Sequence, residues 1–392
     1  MQFELAAYLF LVALLCSCIL TPISIWLGHR WGVLDIPGAR KVHANPIPLS
    51  GGWAIFLTLT VILWGHLLAA LWVHRSGMDL SRFGQRIQHY ASLSPQLMMK
   101  VAPVYIGALA MFLLGLIDDL KGMSVKSRLV VQVAIGFGLA LMGFHPNLGF
   151  LPPVVATSIG VLWIVGITNS FNFLDGLDGL STGVAMVGTM ALLTIMGIAI
   201  QPDVVFFLSA LAGTLFGFLR YNYHPAKVFL GSSGSLLVGY LMAMGTLQVT
   251  YMKGESDNWL LPLLTPVFVL AIPLYDTISV VLIRLIQKRS IAIGDQSHFH
   301  HRLMKLGFSH RQTVAFIILL AFSIALSAVR LVQATLMQSI AIVIQICSIM
   351  SIIVLAERVA AKVRGTMLER RKKTRPIELP IPVAPEEQKI KI

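Results

Sequence analysis

Apolar runs recur along nearly the whole chain, most of them near the roughly 20 residues that one helix needs to cross the roughly 30 Å hydrocarbon core of a bilayer, with the run at 129–144 short. They fall at 5–28, 52–73, 101–117, 129–144, 153–168, 180–200, 204–220, 228–251, 260–285, 312–330 and 335–357. Backbone in lipid must satisfy its own N–H and C=O groups, so unbroken runs of this length favour helices. The expected fold is all-α, a polytopic membrane helix bundle of about 11 transmembrane helices. The membrane part spans 1–357, and 358–392 is a basic tail expected to be disordered. Composition agrees, with 56% hydrophobic and only 12% charged residues, where a soluble domain carries about a quarter charged.

The net charge of +13 is uneven, with much of it between Arg358 and Lys391. Beside apolar spans, such an excess reads as positive-inside topology and attraction to lipid headgroups; no nucleic-acid partner is implied. Arg370, Arg371, Lys372 and Lys373 place the C-terminus in the cytoplasm, and an odd number of spans then puts the N-terminus outside. Glu4, with no basic residue before the first run, points to a retained span rather than a cleaved signal. Cys16, Cys18 and Cys347 sit in apolar runs without metal-ligand spacing. This topology makes the loops 29–51, 118–128, 169–179, 221–227 and 286–311 cytoplasmic, and these five carry the dense polar motifs.

The first motif runs from Asp35 to Gly52 and contains Arg40, Lys41 and His43, basic groups suited to phosphate. The second pairs Asp118 with Asp119 at the end of an apolar span, followed by Lys126, Arg128 and Gln132. Adjacent carboxylates at a membrane boundary are unfavourable unless paired, hydrated or metal-bound. The third, Asn169 to Leu180, steps Asn169, Asn172 and Asp175 by three along one helix face and continues to Asp178. Its oxygen ligands and glycines suit a Mg²⁺–phosphate site.

The fourth motif holds Asn222 and the small-residue stretch Gly231-Ser232-Ser233-Gly234-Ser235. That stretch suits either a phosphate held on backbone N–H groups or close helix packing. Asp276 lies inside an apolar run, where it serves a site or pairs with an arginine such as Arg284. The fifth motif carries Asp295, His298, His300, His301 and Arg302, for which diphosphate and sugar contacts fit better than zinc.

Five motifs in this order, on one expected face, resemble the polyprenyl-phosphate N-acetylhexosamine-1-phosphate transferases from about Asp35 to Gly307. His298-Phe299-His300-His301 resembles the branch that uses UDP-N-acetylglucosamine. The resemblance implies a Mg²⁺-dependent enzyme, with Mn²⁺ as a substitute, in a bacterial inner membrane with its site on the cytoplasmic face. Its partners would be a UDP-N-acetylhexosamine, undecaprenyl phosphate and membrane lipid, and a homodimer is allowed. The reaction implied moves sugar-1-phosphate to the lipid phosphate and releases UMP, as the first membrane step of a cell-envelope polysaccharide.

By the same resemblance, Asp118, Asp119 and Asp178 take catalytic positions. Arg40, Lys41, His43, Lys126, Asn169, Asp175, Asn222, His298, His300, His301 and Arg302 contact substrates. Asn172, Ser232 and Asp276 take the metal positions. Ser232 departs from the pattern, which has a metal-ligating aspartate there, and Leu49 stands where many members have arginine. A neutral hydroxyl is a poor replacement for a charged oxygen ligand. Three readings follow from Ser232: another carboxylate compensates, the residue has been altered, or the chain is a weakened or inactive paralogue that still binds UDP-sugar or lipid phosphate. A transporter would instead need polar residues deep in several spans, and few besides Asp276 occur.

Overall fold

The computed structural model describes residues 2–37, 45–78, 85–146, 151–199, 201–249, 261–288 and 297–373. Arg40, Lys41, His43 and Asp295 lie outside the described residues. The described chain is nearly all helical: α1 Gln2–Arg30, α2 Gly51–Ser76, α3 Gln85–Lys121, α4 Val125–Leu141, α5 Pro153–Leu174, α6 Leu180–Ala199, α7 Pro202–Asn222 and α8 Gly231–Gln248. There follow α9 Thr265–Val269, α10 Ala271–Ile286, α11 Phe299–Lys305, α12 His310–Leu331 and α13 Leu336–Lys373. One short hairpin, β1 Leu34–Asp35 against β2 Ile47–Pro48, is antiparallel with Leu34 opposite Pro48.

Each apolar run overlaps helix among the described residues. Eight described helices are long and apolar enough to cross a membrane: α1, α2, α3, α5, α6, α7, α12 and the Leu336–Val359 part of α13. The shorter α4, α8 and α10 have 17, 18 and 16 residues. The run at 260–285 is broken rather than continuous, with a 3₁₀ turn at Leu261–Leu264, then α9, then α10. Pro262, Pro266 and Pro273 each lack a backbone donor, which explains the interruption. The third span starts earlier than expected, because α3 continues through the polar stretch from Gln85 despite Pro95 and Pro103.

The chain divides into two units, Met1–Cys347 and Ser348–Ile392. The second is described as helix through Lys373, beyond the expected boundary at 357. The first contains the bundle and the whole candidate site. Its outward faces carry Leu15, Val130 and Leu162, which are 60%, 68% and 74% exposed. Large apolar side chains exposed at this density suit lipid rather than water.

Helix α8 runs through the middle of this unit and is buried from Ser233 to Thr246. A helix buried all round is covered by protein on every side, so it needs no polar stripe. Glycines allow its neighbours to come close. A Cβ on Gly52 would lie 2.5 Å from the Gly234 nitrogen, and one on Gly107 would strike the Tyr240 hydroxyl. Tyr240 in turn donates its hydroxyl proton to the Val104 carbonyl of α3 at 2.9 Å. The Gly52 contact places the N-terminus of α8 beside the start of α2, and a Cβ on Gly115 would strike the Ser232 carbonyl oxygen, which places it beside the later turns of α3 as well.

Candidate functional site

The Gly-Ser stretch opens α8, and its first N–H groups need acceptors outside the helix. Asp119, in the last turn of α3, supplies them. Its Oδ1 accepts the Ser232 N–H at 2.7 Å, and its Oδ2 accepts the Ser233 N–H at 2.9 Å. A carboxylate also complements the positive end of the helix dipole. The stretch therefore does cradle an anion, and the anion is a side chain of this protein. Gly231 has φ +67, and a Cβ there would lie 2.7 Å from Asp119 Oδ2, so glycine serves both the left-handed turn and the close approach. Ser232 contributes its backbone N–H to this contact.

Asp118 faces the other way. Its Oδ1 accepts the Met123 N–H at 2.8 Å, and its Oδ2 takes Arg128 Nη1 at 2.7 Å, closing the turn between α3 and α4. Lys126 is exposed on the first turn of α4. The two adjacent carboxylates thus have separate protein partners.

Near the end of α5, Asn169 donates to Gln132 Oε1 of α4 at 2.6 Å, and Asn172 donates Nδ2–H to Ser235 Oγ of α8 at 2.8 Å. Asn172 is left with its amide oxygen without a donor among the described residues. Asp175, the C-cap of α5, accepts no hydrogen bond from the described residues. Its side chain keeps some surface while its carboxyl is desolvated, and burial pushes that carboxyl well above the usual range. Repulsion from Asp119 and then Asp178 adds in the same direction. Three carboxylates thus share one neighbourhood, and one of them has no hydrogen-bond partner among the described residues.

Asp178 is held closely. Its Oδ2 accepts His224 Nδ1–H at 2.7 Å and the Ala226 N–H at 3.1 Å, while its own N–H donates to His310 Nε2 at 3.1 Å. Asn222 is buried, with both ends of its amide engaged by Thr182 at 2.8 Å and the Val228 carbonyl at 2.9 Å. It fixes the segment that leads into α8.

The histidine motif forms α11 and its cap. Asp276 of α10 accepts the Phe299 N–H at 2.5 Å on Oδ1 and His298 Nδ1–H at 2.8 Å on Oδ2, so this buried carboxylate caps α11. Arg302 donates to Ser279 Oγ and the Ser297 carbonyl, both at 2.9 Å, and lies over the Tyr275 ring. The His301 ring lies 4.3 Å from that of His300. His300 is buried, and neither ring nitrogen has a partner among the described residues. Burial, then His301, lowers its pKa to about 3, so the ring is neutral at neutral pH. A Cβ on Gly176 would strike His300 Nε2, so this ring is seated on the backbone beside Asp175. A second tie, Thr277 to Ser170 at 2.8 Å, joins α10 to α5.

Residues from the second to fifth motifs therefore meet at one end of the bundle. His310 belongs to none of them. The pattern Ser309-x-x-Gln312 marks the start of α12, yet no sequence signal links His310 to a backbone N–H 132 positions away.

This arrangement can be set beside known proteins. A family model described as Glycosyl transferase family 4 matches residues 101–250. A probable undecaprenyl-phosphate N-acetylglucosaminyl 1-phosphate transferase of Bacillus subtilis is 32% identical over 92% of both chains. The chain belongs to glycosyl transferase family 4. A decaprenyl-phosphate N-acetylglucosaminephosphotransferase of Mycolicibacterium smegmatis is 30% identical over 82% of each chain. An undecaprenyl-phosphate alpha-N-acetylglucosaminyl 1-phosphate transferase of Escherichia coli is 27% identical over 76% of each. The family match covers α4 to α8, the helices whose ends carry Asn169, Asn172, Asp175, Asp178 and Ser232.

Proposed function

We propose that this chain transfers N-acetylglucosamine-1-phosphate from UDP-N-acetylglucosamine to undecaprenyl phosphate, releasing UMP. The observation that carries the reading is the convergence of Asp119 and His300 on the one segment that holds Asn172, Asp175 and Asp178, with Asp175 lacking a hydrogen-bond partner among the described residues. An oxygen of the lipid phosphate attacks the sugar-bearing phosphorus of the donor. The bond from that phosphorus to the bridging oxygen breaks, and UMP leaves with the electron pair. A phosphate monoester has a second pKa of about 6, so the acceptor is largely dianionic at neutral pH and needs positioning more than proton removal.

Both substrates are anions, and the residues present fit a divalent cation. Among the described residues, Asp175 crowds two other carboxylates without a donor of its own, and the Asn172 amide oxygen, also without a donor, lies one helical turn before it. Asp175, Asn172 and Asp119 would hold Mg²⁺, or Mn²⁺ in its place. When bound, the cation offsets the charge of the diphosphate and of the departing UMP. Neutral His300, with no partner on either ring nitrogen among the described residues, offers one hydrogen-bond donor and one acceptor to the sugar diphosphate. Arg302 keeps a positive charge at the same cap.

The weakened-paralogue reading rests on Ser232 alone. Its N–H bond to Asp119 can be supplied by any residue except proline. The proposal further places about eleven spans in a bacterial inner membrane, N-terminus outside, with the site facing the cytoplasm where nucleotide sugar is present. The test is purified protein in lipid nanodiscs with radiolabelled UDP-N-acetylglucosamine and undecaprenyl phosphate. Lipid-linked sugar diphosphate and UMP should form together and stop on chelation. If neither this donor nor other UDP-N-acetylhexosamines give product with Mg²⁺ or Mn²⁺, the reading fails.

A further inference from the structure

Among the described residues Asp175 has no hydrogen-bond partner to fix it, so its place depends on the turn that carries it, Asp175 to Asp178. That turn is gripped at Asp178 from two directions. The segment between α7 and α8 holds the carboxylate through His224 and Ala226, and α12 holds the backbone N–H through His310. The His224 and His310 rings stack at 4.2 Å with 27° between their planes, which joins the two grips.

We propose that His310 is a positioning residue for sugar-phosphate transfer: its unprotonated Nε2 accepts the Asp178 N–H and so sets the turn that presents Asp175. This rests on the transferase reading above.

Three features assign the role to that one nitrogen. An N–H pointed at Nε2 requires a lone pair there, so the ring proton of neutral His310 sits on Nδ1. Nδ1 is buried with no partner among the described residues, a loss of stability that a ring kept only for packing would avoid. The start of α12 does not depend on the ring. Ser309 and Gln312 close a capping box, with the Ser309 N–H donating to Gln312 Oε1 at 2.9 Å and the Gln312 N–H to Ser309 Oγ at 3.3 Å. The side chain at 310 can therefore be exchanged while the helix keeps its cap.

The test uses three variants of the full chain in nanodiscs. His310→Gln offers an oxygen at about the reach of Nε2, His310→Asn stops one bond short, and His310→Ala has no acceptor. With UDP-N-acetylglucosamine and undecaprenyl phosphate, Ala and Asn should lower kcat by about 10- to 100-fold, the scale of a small misplacement of reacting groups. The KM for the donor should change less than about threefold, and Gln should restore most of the rate. Hydrogen exchange over Asp175–Leu180 reads the same bond without turnover, and exchange should be faster in Ala and Asn than in wild type and Gln. Equal rates in Gln and Asn, or an Ala variant with wild-type kcat, would overturn the assignment. A wild-type protein without turnover defeats the transferase reading instead, and unchanged exchange in Ala then overturns the positioning role separately.

Discussion

Asp119 Oδ1 accepts the backbone N–H of Ser232 at 2.7 Å, and through this contact the end of α3 caps the start of α8. The neighbouring Oδ2 takes the Ser233 N–H, so both oxygens of one carboxylate serve one helix terminus. Removal of the carboxylate leaves these donors without acceptors at a packed junction. Asp119→Ala should destabilise the protein by about 1–2 kcal/mol, and Asp119→Asn, which keeps one acceptor, by less. Thermal unfolding in detergent measures this, and equal stability of all three proteins would contradict the capping role.

Asp175 makes the opposite prediction. Its carboxyl is raised by burial and by two like charges, so its ionisation opposes folding when no cation is present. The folded state keeps the proton to higher pH than the unfolded chain, and its stabilising effect disappears as pH rises through that raised value. Asp175→Asn should therefore match or exceed wild-type stability in chelator at neutral pH. It should also abolish the stabilisation by Mg²⁺ and reduce transfer by at least about 100-fold. A variant still stabilised by Mg²⁺ to the wild-type extent would remove Asp175 from the cation site.

Gly176 and His300 should be energetically coupled, because a Cβ on Gly176 meets the imidazole. Gly176→Ala is expected to destabilise by about 1–3 kcal/mol through overcrowding. Combining it with His300→Ala, which vacates the space, should give less than the sum of the single effects by at least about 0.5 kcal/mol. Additive melting shifts in the double variant would mean that the two residues do not touch.

The pH dependence of stability should report His300. Its pKa falls from an ordinary 6.5 to about 3 on folding. The unfolded chain thus takes up a proton that the folded chain refuses. The stabilisation is complete above about pH 6.5 and declines as pH falls from there toward 3, at no more than about 1.4 kcal/mol per pH unit. His300→Gln should flatten that decline in a denaturation series between pH 7 and 4. An unaltered slope would assign the acid sensitivity to other groups.

The sequence by itself determined where the helices lie and where the polar residues sit along them. Apolar runs depend on local composition, so each overlaps helix among the described residues, and Asp118 and Asp119 fell in the last turn of α3 as their place after an apolar run required. The spacing of Asn169, Asn172 and Asp175 likewise follows from helical periodicity within α5 and its cap. Breaks within the ninth run and the early start of α3 were less legible, because proline either ends a helix or is tolerated according to its neighbours.

Only the tertiary structure decided which groups are already engaged. A glycine- and serine-rich helix start has the same sequence whether it holds a phosphate or the carboxylate of Asp119, since the choice depends on what packs against it. The cap that Asp276 places on Phe299, the seat of His300 on Gly176, and the hold of His310 on Asp178 all join distant parts of the chain. Such contacts carry no periodicity of their own. They exist because closely packed helices bring donors and acceptors within hydrogen-bond range, and that packing is a property of the folded whole.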